Sequence, residues 1–219
     1  MSLSGCSDVL DKATDGGSGK SGYVTYKLQW HAPGSEAFLN SIFPSELVLY
    51  FDKPNLRMEM SSMGGIGKAV FLLNTRTGEG NVMVSIVGVC SRYHETLVGK
   101  QQSFLFSGQH AIPMQEPSDT LFMEEKCLFT EAVLPANNQE LYRVIYSPRL
   151  GWKEVNNFSP FEGIEGIVLS GRFYLGRVTV EMEAKEIVPC QVDPNLFQVE
   201  AGYKEVSRST MEQLLGFGF

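Results

Sequence analysis

The sequence is short of positive charge and of long apolar runs. Its 219 residues include 18 Lys and Arg against 25 Asp and Glu, which gives a formal net charge of −7. Without a basic run, the chain lacks the electrostatic footprint with which proteins bind nucleic acid or anionic membrane surfaces. The longest apolar run, Val82 to Cys90, is far shorter than the roughly 20 residues that span a bilayer as a helix. We therefore expect no nucleic-acid partner and no membrane-spanning helix.

Patterns typical of metal and catalytic sites are also missing. The three histidines, His31, His94 and His110, show no metal-ligand spacing, and neither a zincin pattern nor a nucleophile elbow occurs. Glu181 and Glu183 share one face of a predicted strand, but that face is the solvated one, so they are poorly placed for acid–base work. We therefore expect no catalysis, no metal site and no cofactor.

The four cysteines contain no CxxC pair, which argues against a zinc or redox motif. Cys90, Cys127 and Cys190 would allow one disulfide with one thiol left over, as an envelope location permits. The alternative is three separate buried thiols that act as small apolar side chains. The sequence leaves both alternatives open.

The fourth cysteine, Cys6, follows Leu3-Ser4-Gly5, a pattern typical of a bacterial lipoprotein processing site. Processing there would make Cys6 the mature N-terminus and the site of lipidation. Residues 1–21 are then a processing remnant and a flexible linker rich in Gly, Ser, Asp and Lys. The pattern predicts that the protein contacts the membrane only through a lipid anchor at Cys6. An ordinary cysteine in a disordered tail is the alternative.

Alternating apolar and polar residues predict that residues 22–219 form one antiparallel β domain. The clearest alternation is at Val178, Val180, Met182 and Ala184, whose sequence neighbours are mostly charged. About ten strands in a meander would form a curved sheet with one face in water and one apolar face that must be covered. Two short helices and the long segment Tyr93–Asp119 are the expected covers.

Several segments are assigned individually. We predict a helix over residues 35–42, a terminal helix opened by a Ser209–Glu212 capping box, single strands at Val82–Cys90 and Leu121–Ala132, a short strand at Phe104–Phe106, and an edge strand or bend at Gly166–Ser170.

Four stretches together resemble a known family. They are Glu183–Val188 with Val192–Lys204, Leu47–Phe51 with Arg57–Met60, the strand around Cys127, and Phe161–Leu169. They are similar to corresponding stretches of small bacterial envelope lipoproteins and secreted proteins, which share the fold of the outer-membrane lipoprotein carrier. The resemblance implies a mainly β (α+β) fold, an antiparallel, curved open half-barrel with two or three short helices on its concave face. It also implies a location in the bacterial periplasm or at the cell surface, with a lipid anchor in the outer membrane.

Apolar side chains are the remaining candidates for a binding site, because methionine and aromatic residues can line a deformable pocket. The expected lining consists of Trp30, Phe51, Met58, Met60, Phe71, Met83 and Met182. We predict that the protein binds or carries a lipid or another apolar small molecule in its concave face, without catalysis. The alternative is a tethered structural or interaction module with a filled core, whose partner is another envelope protein. That module would expose an apolar patch, with Tyr93–Asp119 as the expected place.

Overall fold

A computed structural model describes residues 20–31, 43–62, 67–99, 101–106, 111–134, 141–175 and 178–215. Thirteen strands in these residues form a single sheet. They are β1 (Ser21–His31), β2 (Glu46–Asp52), β3 (Asn55–Ser62), β4 (Gly67–Asn74), β5 (Glu79–Ile86), β6 (Val89–Thr96), β7 (Ile112–Pro113), β8 (Ser118–Phe122), β9 (Glu125–Val133), β10 (Leu141–Ser147), β11 (Ile167–Leu175), β12 (Val178–Pro189) and β13 (Lys204–Glu205). The described residues also contain one α-helix, Arg208–Leu214, and two short 3-10 turns, Phe104–Phe106 and Pro194–Phe197. The predicted helix over residues 35–42 lies outside the described residues.

The strands form two meanders that meet where β1 pairs with β12. One meander runs from β1 to β6, the other from β12 back to β9, and β7 and β8 both pair with β9. All pairings are antiparallel except that of β6 with the short β13. The two outer strands of the sheet do not pair with each other, so the sheet is open. The predicted mainly β, antiparallel, open sheet is therefore confirmed.

Side-chain alternation gives the sheet two different faces. On β1, Val24, Tyr26, Leu28 and Trp30 enter the main hydrophobic core, and we call this side the inner face. Tyr23 points to the opposite, outer face, where it packs near Tyr50 and Val192. On β12 the alternation predicted from sequence is observed, with Val180, Met182 and Ala184 buried on the inner face.

Three parts of the chain cover the inner face. The largest is the segment 150–166, which we call the cover segment and which buries Trp152, Val155, Phe158, Phe161 and Ile164. The stretch that follows β6 contributes Leu97, Leu105, Phe106 and Ala111, and the terminal helix contributes Met211. Within the described residues, turns and loops cover most of this face. The sequence analysis had predicted that two short helices would cover a large part of it.

A second segment crosses the outer face. Residues 190–205, which we call the C-terminal strap, run from β1 to the β6 edge. Val192 is buried against Tyr23 and Tyr50, and Tyr203 packs with Met83. The strap ends as β13, parallel to β6. The expectation of one wholly solvated face is therefore wrong for strands β2 to β6, because the strap shields part of it.

Two predicted strands are in fact hairpins. Val82–Cys90 is divided between β5 and β6 by a turn at Val87-Gly88, and Leu121–Ala132 is divided between β8 and β9 by a turn at Met123-Glu124. Val87, Met123 and Glu124 have φ angles of 49°, 51° and 64°. Tight hairpin turns need such left-handed backbone and usually place Asn or Gly there. Val87, Met123 and Glu124 are not residues typical of such turns, so the sequence concealed both hairpins.

Other local assignments also change. Phe104–Phe106 is a 3-10 turn and not a strand. The strand β11, which includes the predicted edge residues up to Ser170, lies between β10 and β12 inside the sheet. The terminal helix is capped by Ser207, whose side-chain oxygen accepts a hydrogen bond from the Thr210 amide at 3.2 Å. Ser209 lies within the helix, so the predicted capping box is wrong by two residues.

The cysteines follow neither alternative left open by the sequence. Cys90 and Cys127 are free thiols, the first half-buried and the second buried. Cys190 is disulfide-bonded. No disulfide therefore joins any two of these three residues, and they are not three separate thiols.

Candidate ligand cavity

The cover segment is held in place by hydrogen bonds at its turns. The Asn156 amide donates to the carbonyl oxygens of Ile164 at 2.7 Å and Gly166 at 2.8 Å. Gly166 has a φ of 144°, and a Cβ there would lie 2.5 Å from the carbonyl oxygen of Ser147. A glycine is therefore required where the cover segment returns to β11. The Trp152 indole N–H donates to the Thr75 hydroxyl at 3.2 Å, which fixes the other end.

A cavity of about 80 Å³ lies between the cover segment and the inner face of the sheet. Its lining is almost entirely apolar: Tyr26, Leu47, Leu49, Leu56, Met58, Phe71, Leu73, Phe106, Val155, Asn156, Ser159, Pro160, Phe161, Ile167, Val168, Phe173 and Met182. The Tyr26 hydroxyl donates to the Val168 carbonyl oxygen at 2.7 Å, so this polar group is satisfied within the wall. Burial raises the pKa of Tyr26, so it stays neutral. The site can hold apolar groups by packing, and it offers little polar recognition.

The structure brings three of the predicted lining residues together at this cavity. Met58 lies directly opposite Phe71 in the pairing of β3 with β4, and Met182 reaches the cavity from β12. These three side chains share the inner face although they come from separate strands.

The other predicted residues lie elsewhere. Trp30 stacks on Phe43 with ring centroids 4.7 Å apart, and its indole N–H donates to the Pro44 carbonyl oxygen at 2.7 Å. Phe51 is fully buried in the main core, and Met60 packs against that core, but neither lines the cavity. Met83 lies on the outer face with Val70 and Leu72, so the cavity does not include it. Cys6, the predicted lipidation site, lies outside the described residues.

The sequence analysis missed the wall that the cover segment provides. Val155 and Phe161 line the cavity, but an irregular segment has no periodicity that would assign its side chains to a face. The high density of Trp and Phe between Trp152 and Phe161 was the available signal. Tyr26 could also have been found, because it alternates in phase with Trp30 on β1.

A buried carboxyl group lies close to the cavity. Glu95 on β6 accepts a hydrogen bond from the Phe104 amide at 3.5 Å, and its Oε1 atom has no hydrogen-bond partner among the described residues. Gly80 makes room for it, since a Cβ at Gly80 would lie 3.1 Å from Cγ of Glu95 and 3.6 Å from the Phe71 ring. Burial raises the pKa of Glu95, opposed by hydrogen bonds from Ser103 and Phe104.

A second, more open groove of about 550 Å³ lies between residues 113–117 and the far end of the cover segment at Gly163 and Ile164. Polar and apolar residues both line it, among them Tyr146 and Thr130. The Thr130 hydroxyl donates to the Gln115 carbonyl oxygen at 2.8 Å. Among the described residues that line the groove, Glu116 is the one charged group, so they form no charged cluster.

Two further searches bear on the chemistry of the described residues. Nowhere in them do three His, Cys, Asp or Glu side chains converge as metal ligands would. None of the helices in this part of the chain is long and apolar enough to cross a membrane.

No protein-family model matches this sequence, and no curated protein matches it significantly. The resemblance to envelope lipoproteins therefore stays a prediction, and the geometry of the cavity has to support any function by itself.

Proposed function

We propose that the protein is an envelope lipoprotein that binds a lipid or another apolar small molecule, without catalysis. In this proposal the open sheet is a half-barrel whose concave inner face receives the ligand. A lipid anchor on the Cys6 sulfur would attach it to the outer membrane from the periplasmic or cell-surface side, and such an anchor excludes Cys6 as the disulfide partner of Cys190. The observation that supports ligand binding is the apolar cavity that includes Met58, Phe71 and Met182.

The size of the cavity limits how a ligand would enter. Its volume of about 80 Å³ is below the roughly 300–1,000 Å³ of typical small-molecule sites. A whole acyl chain would therefore have to displace part of the cover segment, with Val155 and Phe161 closest to it. Met58 and Met182 have flexible side chains that can repack around a chain at little cost.

Two methionine variants test this proposal. Met182 lines the cavity, whereas Met83 is buried on the outer face, so both changes to alanine remove the same atoms from opposite sides of the sheet. Titration with a dansyl-labelled undecanoic acid should give saturable binding. Met182→Ala should change the dissociation constant about fourfold or more, the equivalent of one methylene of apolar contact. Met83→Ala should leave it unchanged. Absence of saturable binding, or equal effects of the two variants, would contradict the proposal.

A second candidate function is a tethered interaction module. The interior is largely filled, and Val98, Ile112 and Met114 are exposed within the Tyr93–Asp119 segment, as this alternative predicts. A photo-crosslinking residue at Met114 should then give one discrete adduct in cells, whereas the same residue at the exposed Val87 should not. Equal labelling at both positions would count against this function.

A further inference from the structure

The stretch that follows β6 holds the middle of the cover segment. We call residues 102–106 the latch turn. The Gln102 side-chain amide donates to the Ser159 carbonyl oxygen at 2.9 Å, and the Ser103 backbone amide donates to the Phe158 carbonyl oxygen at 3.4 Å. Both acceptors belong to the cover segment. This part of the cover segment therefore moves away from the sheet either by breaking these bonds or together with the latch turn.

The latch turn is also part of the cavity wall. Phe106 lines the cavity together with Phe71 and Phe173. Its ring is edge-on to both of theirs, with centroids 6.1 Å and 6.0 Å away. The Phe106 amide donates to the Ser103 carbonyl oxygen at 3.0 Å, so the ring is tied to the turn. Movement of the latch turn would therefore withdraw Phe106 and enlarge the cavity.

Glu95 on β6 contacts the latch turn from the side opposite to the cover segment. Its Oε2 atom accepts a hydrogen bond from the Phe104 amide at 3.5 Å, which is longer than the roughly 2.7–3.2 Å of ordinary bonds. The side chain fills the space above Gly80, the residue opposite it on β5. Glu95 is only 9% exposed, and its Oε1 atom has no hydrogen-bond partner among the described residues. A buried carboxyl group therefore meets the latch turn through one weak bond.

The surroundings of Glu95 favour its neutral form. Burial raises its pKa, because the ionised form is poorly hydrated there. Four neighbours act in the opposite direction without cancelling this effect. They are the Ser103 hydroxyl and the Phe104 amide in the latch turn, Arg208 on the terminal helix, and His94 on β6 itself. The closed arrangement therefore tolerates the neutral carboxyl group better than the carboxylate.

We propose that Glu95 makes the latch turn a proton-linked switch for the cavity. While its carboxyl group is protonated, the latch turn stays packed on β6 and the cover segment stays closed. Ionisation favours an open arrangement, in which the carboxylate reaches water and Phe106 leaves the cavity wall. The switch rests on the proposed function, because it controls entry of a ligand to the same cavity of about 80 Å³.

The direction of the pH dependence follows from proton linkage. In the open arrangement Glu95 is hydrated and has an ordinary pKa of about 4.3. In the closed arrangement its pKa is higher. Between these two values the closed arrangement binds more protons, so opening becomes more favourable as the pH rises. The opening equilibrium constant gains about tenfold for each pH unit that separates the two pKa values.

Amide hydrogen exchange of the ligand-free protein, measured by NMR between pH 4 and pH 8, reports this opening. Dividing the intrinsic exchange rate at each pH by the observed rate gives a protection factor, which removes the direct effect of pH. The protection factors of Ser103 and Phe104 should fall about threefold or more as the pH rises, the effect of roughly half a pKa unit. The Met114 amide, which donates to the Glu131 carbonyl oxygen away from the latch turn, should not follow them.

Two variants separate Glu95 from the other carboxyl groups. Glu95→Gln keeps the shape but cannot ionise, so its protection factors should not change with pH. Glu116→Gln, which removes an exposed carboxyl group, should behave as wild type. His94 is present in all three proteins, so its charge cannot account for a difference between them. Equal profiles in wild type and Glu95→Gln would overturn the proposal. A wild-type profile without pH dependence would also overturn it, whether or not Glu95→Gln folds.

Binding of Nile red, an uncharged apolar dye, tests the link to the ligand. Its association rate in stopped-flow measurements should rise with pH in wild type and stay constant in Glu95→Gln. Saturable binding at a rate that is independent of pH in wild type would overturn the switch and leave the proposed function standing. Opening that depends on pH, without any binding of Nile red, would support the switch and contradict the proposed function.

Discussion

Arg57 on β3 and Glu200 in the C-terminal strap form an ion pair that links positions 143 residues apart. Nη2 of Arg57 donates to Oε1 of Glu200 and to Oε2 of Glu59, both at 2.8 Å, and Nη1 donates to the Leu196 carbonyl oxygen at 2.9 Å. The Arg57 side chain is only 3% exposed. The strap is therefore fastened to the outer face around one buried guanidinium.

Arg57→Ala should destabilise the protein by about 3 kcal/mol, the lower end for breaking a buried ion pair, because the two carboxylates it leaves can reach water. Glu200→Gln should cost about 1 kcal/mol or less, since Glu200 is 41% exposed and Glu59 still pairs with Arg57. Urea denaturation at pH 7 measures both. Glu205→Gln, which removes an exposed partner of Arg92, is the matched control and should have the smallest effect. A large loss in the control would show that the strap is not fastened mainly at Arg57.

The same ion pair predicts a pH dependence. Burial acts to raise the pKa of Glu200, but the Arg57 hydrogen bond and the charges of Lys68 and Arg57 outweigh it and lower the pKa. A carboxyl group with a lowered pKa stabilises the folded state above its unfolded pKa of about 4.3, and this contribution is lost as the pH falls through the folded pKa. The stability difference between wild type and Glu200→Gln should therefore vanish in acid. A difference that persists at pH 2.5 would contradict this account.

Glu95 should show the opposite pH dependence. Because burial raises its pKa, the folded state holds the proton more tightly than the unfolded state, and stability falls as the pH rises through this range. Glu95→Gln keeps the shape but cannot ionise, so it should be more stable than wild type at pH 7. This advantage should disappear below about pH 4, where Glu95 is protonated in both states.

Thermal unfolding between pH 3 and pH 8 measures the Glu95 effect, with the exposed Glu116 changed to Gln as the control. The account would be wrong if the two variants changed the melting temperature equally, or if Glu95→Gln were less stable than wild type at pH 7. Either result would mean that the folded protein does not disfavour the ionised form of Glu95.

Val87→Asn should stabilise the hairpin between β5 and β6. Val87 has a φ of 49°, in the left-handed region, and its side chain is exposed at the tip of the hairpin. No side-chain packing therefore offsets the strain of this backbone conformation. That conformation costs roughly 1–2 kcal/mol for most side chains and less for Asn, which also precedes Gly88 as in common hairpin turns. Val89→Asn, at an extended and also exposed position of the same hairpin, should not stabilise it. A gain in melting temperature for both variants would show that replacing an exposed valine by a polar residue, and not the left-handed backbone at Val87, causes the stabilisation.

That hairpin shows why part of the fold was hidden in the sequence. The alternation on β1 and β12 is a local property of each strand, and it predicted their buried residues directly. A turn is predictable when Gly, Asn, Asp or Pro marks it. The first turn is marked only by Gly88, inside an otherwise apolar run, and the turn at Met123-Glu124 carries no such mark, so two hairpins were taken for two long strands.

The cavity was partly predictable for a related reason. Met58 and Phe71 lie on strands with clear alternation, and pairing brings them together. On β5, Val82, Met83 and Val84 are all apolar, because the strap covers the outer face there. Local alternation cannot then assign Met83 to a face. Long-range contacts, such as the strap on β3 and the cover segment on β11, determine those positions.

The two free thiols should react at very different rates. Cys127 is buried, and its pKa is raised by burial and by the charge of Glu125, so little of the reactive thiolate forms at neutral pH. Cys90 is half-buried at the β5–β6 hairpin, near the Ser85 hydroxyl. Iodoacetamide at pH 7.5, followed by peptide mass spectrometry, should modify Cys90 at least about tenfold faster than Cys127.

Unfolding provides the control for this difference. In guanidinium chloride both thiols are exposed and lose their native surroundings, so the two rates should become similar. In the folded protein, Cys127 can react only when the β8–β9 hairpin opens. If this hairpin opens by itself, the labelling rate of Cys127 should rise at denaturant concentrations well below those that unfold the whole protein. Rapid labelling of Cys127 in the native protein would show that β8 does not stay paired with β9.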